Sequence, residues 1–254
     1  MSVFHAQNID LAYGHHRVLE KINITSSGSE VIGVIGANGA GKSTLLKAMA
    51  GTISYRGQIT LNDIVLEKQN RRQRSELCSY AGQAINHTFP FRVEEIVAMG
   101  LASQDPFFAS PKVPERVLSI LNELGFEKSM HDYFSELSIG QQQIVMLAQT
   151  LLRQTPLILL DEPSAPLDYR HTSKLLIALR ARATNGALIF MAVHDLNIAS
   201  QTCDRIILLH DTKITHDGTP QEVLQKDILE EAYHINLDRF THPRTQKPFI
   251  GLDL

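Results

Sequence analysis

The first part of the chain alternates apolar and polar positions with a period of two. Residues 1–66 contain the segments "VFHAQNIDLAY", "VLEKINI" and "GQITLNDIVL". Such alternation is typical of strands with one buried and one exposed face, joined by tight turns. These segments therefore predict an antiparallel β layer.

Later segments have a different pattern, with near-continuous apolar runs. "PLILLDEP", "ALIFMAVHD" and "DRIILLHD" are separated by helical segments, which is typical of parallel strands covered on both faces. Between residues 93 and 153 the periodicity is helical, and Pro114 can start a helix that Gly125 ends. "TPQEVLQ" predicts another helix start, with Thr219 as its cap.

These patterns predict an α/β fold with a mostly parallel core, an N-terminal antiparallel β layer and a helical insertion. We expect one domain over residues 1–254. Its core is expected to comprise residues 1–92 and 154–254, and its helical subdomain residues 93–153.

Composition removes several function classes. With 43% hydrophobic residues the chain can bury a large core, and its net charge of -3 gives no argument for nucleic acid binding. Cys78 and Cys203 lack the spacing of a zinc site or a disulfide framework. The N-terminus has no secretory pattern, and no apolar run approaches the ~20 residues of a membrane helix. If the protein acts at a membrane, we expect another chain to cross it.

A phosphate-binding loop is predicted by "GANGAGKS", because the GxxxxGK[ST] spacing follows a predicted strand and precedes a predicted helix. Backbone N–H groups of such a loop converge on phosphate oxygens, and the helix start adds partial positive charge. Lys42 is expected to contact the β and γ phosphates as a catalytic group, and Ser43 to bind Mg²⁺. The predicted nucleotide contacts are Gly36, Ala37, Asn38, Gly39, Ala40, Gly41, Lys42, Ser43 and Thr44.

Two acidic residues end the apolar run "LILLDEP". The carboxyl ends of strands are where open α/β sheets bind ligands. Asp161 is predicted to orient Mg²⁺, and Glu162 to act as the general base for an attacking water.

With these motifs placed, the chain resembles the nucleotide-binding subunit of ABC transporters over essentially all of its length. The remaining motifs follow in that family's order: Tyr13 before Gly14, Gln83 in "YAGQ", the signature "LSIGQQQ", the D-loop "SAPLD" and the switch residue His194. The resemblance implies that Tyr13 stacks on adenine, that Gln83 reaches Mg²⁺ or the attacking water, and that His194 contacts the γ phosphate. Of the D-loop, Asp168 is the residue carried over.

The signature segment departs from the family. Ser138 and Gln141 form a helix-capping pattern, whereas Ile139 stands where the family has the first of two glycines. Because a first helical position needs φ near -60°, we expect isoleucine to be tolerated there. Ser138, Gly140 and Gln141 are then expected to contact nucleotide. Gln142, where arginine or lysine is frequent, and Pro166 in the D-loop are further departures.

The resemblance also implies a mechanism and partners. Two copies would face head to tail and enclose two ATP molecules with Mg²⁺, the signature helix of one copy facing the phosphate loop of the other. The other expected partners are transmembrane permease subunits and, indirectly, a substrate-binding protein, with no nucleic acid. The expected location is the cytoplasmic face of the cell membrane, held there by the permease.

Several functional alternatives stay open from the sequence. "HDLNIASQTCDRIILL" and "GTPQEVLQKDILEEAYHI" look most like ATPases of importers for iron-siderophore complexes, haem or cobalamin. Importers of zinc, manganese or molybdate and a soluble ABC ATPase of iron-sulfur assembly are the alternatives. DNA-maintenance relatives carry a long coiled coil that is not visible here. Permease contacts are expected within residues 84–112, where Phe107 and Phe108 could face either the partner or the core.

Overall fold

The computed structural model describes residues 2–82, 90–102 and 110–253. Gln83, Phe107 and Phe108 lie outside the described residues. In chain order the strands are β1 (Val3–Tyr13), β2 (His16–Ser27), β3 (Val31–Ile35), β4 (Arg56–Leu61), β5 (Ile64–Val65), β6 (Cys78–Ala81), β7 (Leu157–Asp161), β8 (Leu188–Ala192), β9 (Arg205–His210), β10 (Lys213–Gly218), β11 (Leu237–Thr241) and β12 (Pro248–Leu252). The α-helices are α1 (Lys42–Met49), α2 (Arg71–Leu77), α3 (Val93–Ala98), α4 (Val113–Leu124), α5 (Ile139–Leu151), α6 (Tyr169–Thr184), α7 (Leu196–Thr202), α8 (Pro220–Val223) and α9 (Lys226–Tyr233).

A six-stranded sheet in the order β10-β9-β3-β8-β7-β6 forms the centre of the molecule. The pairs from β9 to β6 are parallel, and only β10 joins antiparallel. The three late apolar runs are β7, β8 and β9, so the predicted parallel core is confirmed.

The N-terminal segments form a separate antiparallel sheet in the order β2-β1-β4-β5, which confirms the predicted β layer. The hairpin β11-β12 lies at the end of the described chain.

The central sheet separates two hydrophobic cores. Successive strand residues point to opposite faces, so Leu157 and Leu159 pack toward the antiparallel sheet and α1, whereas Ile158 and Leu160 pack toward the larger set of helices. Burial on both faces explains why these strands read as continuous apolar runs.

The region between residues 93 and 153 is helical where it is described, with α3, α4 and α5 packed on one another. Pro114 lies in the first turn of α4 and Gly125 follows its end, both as predicted. Thr219 caps α8, also as predicted. The boundaries of the subdomain stay a prediction.

Within the described ranges, no helix combines the length and apolar character needed to span a bilayer.

Parallel strand order determines where functional groups can meet. The carboxyl ends of β3, β7 and β8 lie at one edge of the sheet, because these strands are neighbours and parallel. The loop before α1, Asp161 at the end of β7 and His194 beyond β8 therefore reach the same edge.

Candidate functional site

The loop between β3 and α1 is held close to its neighbours by two glycines. A Cβ on Gly36 would lie 2.3 Å from the carbonyl oxygen of Leu209, so that position has no room for a side chain. Gly41 caps α1 with φ of 101°, and a Cβ there would be 3.1 Å from atoms of Val18 and Leu19. The sequence spacing is thus matched by a loop that only glycine fits at these points.

Lys42, the first residue of α1, is buried beneath this loop. Its Nζ donates to the carbonyl oxygens of Gly36 at 2.7 Å and Ala37 at 3.0 Å. Burial lowers the pKa of Lys42, and the negative charges of Glu162 and Asp161 oppose that shift. The ammonium group therefore bonds to neutral carbonyl oxygens that a phosphate oxygen could replace.

Ser43 and Asp161 meet across the strand edge. The Ser43 hydroxyl donates to Oδ1 of Asp161 at 2.8 Å, and the Tyr80 hydroxyl donates to Oδ2 at 3.3 Å. A hydroxyl beside a carboxylate offers the hard oxygen ligands that Mg²⁺ prefers, with phosphate oxygens and water completing the shell. These two residues therefore fit the predicted metal.

Tyr80 was missed by the sequence reasoning. It lies on β6, which pairs in parallel with the strand that carries Asp161. Burial raises the pKa of Tyr80 well above its ordinary value, with the Asp161 carboxylate adding to the shift, so the phenol stays a neutral donor. A tyrosine near the end of a buried strand beside "LILLD" was the available signal.

Glu162 has an unusual backbone conformation. Its φ is 53°, a left-handed value for a residue with a Cβ, which typically costs ~1–3 kcal/mol. Its N–H donates to the Ala192 carbonyl at 3.2 Å, and Nε2 of His194 lies 2.5 Å from its Oε1. The strained backbone thus directs the carboxylate toward His194, on the adjacent strand end.

A cavity of about 250 Å³ brings the predicted phosphate and hydrolysis residues together. Two other predicted loop residues lie outside this cavity: the Ala37 carbonyl accepts from Lys42, and both Ala37 and Ala40 line a neighbouring cavity. Val18 also lines the cavity, and no sequence motif indicated it. The lining residues are Val18, Asn38, Gly39, Gly41, Lys42, Ser43, Thr44, Glu162 and His194.

Tyr13 does not line this cavity. It is the last residue of β1, paired with His16, and it is 54% exposed to solvent. An exposed ring at a strand end is available for stacking, but its adenine contact stays a prediction, as does the role of Gln83.

The signature segment forms the predicted helix start. Ser138 accepts from the Gln141 N–H at 3.3 Å, and Oε1 of Gln141 accepts from the Ser138 N–H at 3.0 Å, so the capping box is confirmed. Ile139 is the first residue of α5, as expected, and is 72% exposed. Ser138, Gly140 and Gln141 are not among the described residues that line the phosphate cavity.

The signature helix packs against the D-loop of the same chain. A Cβ on Gly140 would lie 3.0 Å from the Pro166 carbonyl oxygen, and Nε2 of Gln143 donates to the Pro163 carbonyl at 3.4 Å. Gln142 bonds the Phe134 carbonyl at 3.1 Å. Two departures from the family pattern, Pro166 and Gln142, are thus accommodated by local contacts.

Asp168 caps α6. It accepts from the His171 N–H at 2.8 Å, and this bond is the main cause of a lowered pKa for the Asp168 carboxyl. Asp168 also lines a groove along α6 that begins at Glu162 and His194. The D-loop therefore adjoins the hydrolysis residues but lies outside the phosphate cavity.

Comparisons with known proteins agree with this arrangement. The family model described as "ABC transporter" matches residues 19–165. The chain is similar to the hemin import ATP-binding protein HmuV of Hahella chejuensis, at 31% identity over 99% of this chain and 100% of the relative. It is 35% identical to HmuV of Bordetella bronchiseptica over 94% of each chain. In structure it is similar to the ATP-binding cassette MJ0796, a dimer bound to ADP and Pi, with a TM-score of 0.77, 22% identity and coverage of 85% of this chain and 98% of that one.

Proposed function

Because this chain belongs to the ABC transporter family of ATPases, we propose that it is the ATP-hydrolysing subunit of an importer whose cargo is hemin. ATP hydrolysis by this family is coupled to transport. The proposed location is the cytoplasmic face of the cell membrane, where permease subunits hold the chain. We further propose the domain boundaries given by the sequence, with a helical subdomain over residues 93–153.

The observation that carries the proposal is the shared phosphate cavity. Residues from four separate segments line it, and three of these segments supply Lys42, Glu162 and His194. A cationic ammonium, a helix N-terminus and a carboxylate able to accept a proton are the groups that phosphoryl transfer to water requires.

Nucleotide binding begins with an exchange of partners at Lys42. Its Nζ leaves the carbonyls of Gly36 and Ala37 and contacts the β and γ phosphates instead, while N–H groups of the loop and the start of α1 bind phosphate oxygens. Ser43 and Asp161 would hold Mg²⁺, which when bound neutralises phosphate charge.

Hydrolysis is assigned to Glu162 and His194. Glu162 accepts a proton from the attacking water, and His194 moves from the Glu162 carboxylate to the γ phosphate. In the present conformation these two side chains bond each other, which leaves the carboxylate less available for water. Closure around ATP would separate them.

A second copy is proposed to complete the site. Ser138 and Gly140 stand at the N-terminus of α5, which can bind an anion, yet they lie outside the cavity of their own chain. The structurally similar cassette MJ0796 is a dimer, which supports a pair of copies here, and we propose that the two copies pack head to tail. ATP would then stabilise the closed pair only through its higher affinity for that state.

The cargo proposal comes from the relatives, since transported molecules need not touch this chain. Both HmuV relatives are named for hemin import. The proposed assembly comprises two copies of this chain, permease subunits and a substrate-binding protein that delivers hemin.

Reconstitution tests the proposal. The chain is co-expressed with the polytopic permease of its own gene neighbourhood, placed in liposomes, and assayed for Mg²⁺-dependent ATP hydrolysis with hemin and its binding protein. We expect hemin to stimulate hydrolysis and to accumulate in the lumen, and Lys42→Ala to abolish both. Stimulation by cobalamin or a ferric siderophore but not by hemin would refute hemin as the cargo, while the proposed role as an importer ATPase would stand. No ATP hydrolysis by the full assembly would refute the function itself.

A further inference from the structure

The C-terminal helix α9 contacts the phosphate loop directly. The N–H of Gly36 donates to the Tyr233 hydroxyl at 3.0 Å, across 197 positions of sequence. Tyr233 is the last residue of α9 and lies beyond residues 19–165, which the family model matches. No motif of the loop itself accounts for this bond.

Both the N–H and the carbonyl oxygen of Gly36 are hydrogen-bonded. Its N–H is held by Tyr233, and its carbonyl accepts from Lys42 at 2.7 Å. The proposed mechanism takes Lys42 away from this carbonyl when ATP binds. The bond to Tyr233 does not depend on Lys42 and can persist through that exchange.

The helix that carries Tyr233 is itself well anchored. Leu229 and Ala232 of α9 are buried in the core. Glu230 within α9 accepts from the Leu237 N–H at 3.0 Å, and Arg239 donates to the carbonyl of Leu224, just before α9, at 2.8 Å, so β11 bonds both the helix and the segment that leads into it. The phenol is therefore presented to Gly36 from a rigid support.

The chemistry of the phenol suits a permanent acceptor. Burial raises the pKa of Tyr233 to about 12, so the side chain is neutral over the physiological range. A neutral hydroxyl can hold the Gly36 N–H without adding a negative charge that would repel phosphate.

We propose that Tyr233 is a positioning residue for ATP binding: it fixes Gly36 and keeps the phosphate loop in its open, phosphate-accepting shape after Lys42 has released the loop carbonyls. This inference rests on the proposed function. It assigns the C-terminal segment a part in nucleotide affinity and gives Tyr233 no contact with the nucleotide.

The test is Tyr233→Phe, which keeps the ring and removes only the hydroxyl. Tyr55→Phe is the matched control, since the Tyr55 hydroxyl bonds Glu67 away from the loop. For Tyr233→Phe we expect a KM for ATP and a Kd for ADP about 2- to 10-fold higher, the range of one neutral hydrogen bond, with kcat nearly unchanged. Hydrogen exchange of the Gly36 amide, measured by NMR, should accelerate by a similar factor. Tyr55→Phe should leave both the nucleotide affinity and the Gly36 exchange rate at their wild-type values.

The outcomes separate this inference from the function it rests on. Unchanged ADP affinity in Tyr233→Phe, or an equal loss in Tyr55→Phe, overturns the positioning role. A Gly36 amide that exchanges at the wild-type rate in Tyr233→Phe overturns the contact itself, whether or not the protein binds nucleotide. A wild-type chain that binds neither ADP nor ATP refutes the proposed function as well as the positioning role, while the exchange measurement still decides the contact.

Discussion

The phosphate cavity and the signature segment both present the N-terminus of a helix, but they are completed differently. At α1 the surrounding groups converge: Lys42 is buried, and Glu162 and His194 reach the same cavity from other strands. At α5 the polar groups bond one another in a capping box, and Ile139 is exposed. One chain therefore holds the groups for phosphate binding and proton transfer in one cavity, while the helix start at α5 does not line that cavity. This difference is the physical reason for expecting two copies to share each site.

The largest expected effect comes from Glu162→Gln in the cavity. The amide keeps the size of the side chain but cannot accept a proton, so ATP hydrolysis should fall about 100- to 1000-fold. Steady-state phosphate release measures this loss. ATP binding should survive, and gel filtration of the variant with ATP should reveal the trapped pair. Near-normal turnover by Glu162→Gln would show that the carboxylate is not the general base. A variant that stays monomeric with ATP would contradict a site shared between two copies.

Gly140→Val tests the signature side of the comparison. A Cβ at this position is already 3.0 Å from the Pro166 carbonyl, and a branched side chain would also block close approach to a phosphate. We expect hydrolysis to fall about 100-fold, comparable to the loss of one transition-state donor. ADP affinity of the isolated chain should stay at the wild-type value, because the cavity of the same chain does not include Gly140. If ADP affinity falls in parallel with hydrolysis, both regions act within one chain and the comparison fails.

The cavity was predictable because its geometry is local or follows from strand order. The P-loop spacing specifies a tight turn before a helix, and the apolar run ending in Asp161 specifies a strand whose carboxyl end reaches the same edge. Neither of these two features depends on how distant segments of the chain pack together. The parallel core and antiparallel layer follow from the same two periodicities.

The contacts missed by sequence are those that depend on packing between distant segments. Tyr80 reaches Asp161 through the β6-β7 pairing, and Tyr233 reaches Gly36 from a helix near the end of the chain. Pro166 was recognised as a departure, but its contact with Gly140 depends on how α5 meets the D-loop. The left-handed backbone of Glu162 was equally hidden, since no residue type signals it.

Ser138→Ala should have a smaller effect, and the chain offers a matched control. Ser138 and Thr219 both cap a helix through a capping box, with bonds of 3.3 Å and 3.4 Å to the third helical N–H. Either alanine variant should destabilise the protein by about 1 kcal/mol, which thermal unfolding measures. Only Ser138→Ala should also lower hydrolysis, by about 10-fold, since a hydrogen bond to charged phosphate would be lost. Equal ATPase activity in both variants would show that the Ser138 hydroxyl acts only as a helix cap and does not contact phosphate.

The smallest effect is expected for Ile139→Gly, which restores the residue found in the family. Ile139 already has the helical conformation its position requires, and its exposed side chain points away from the described core. Glycine would cost up to ~1 kcal/mol of helix stability while giving phosphate slightly easier access. These opposing contributions should leave the ATPase rate within a few-fold of wild type. Gly140→Val, measured beside it, provides the scale: a larger change from Ile139→Gly than from Gly140→Val would mean that the isoleucine, and not the glycine, controls how the second copy approaches the phosphate.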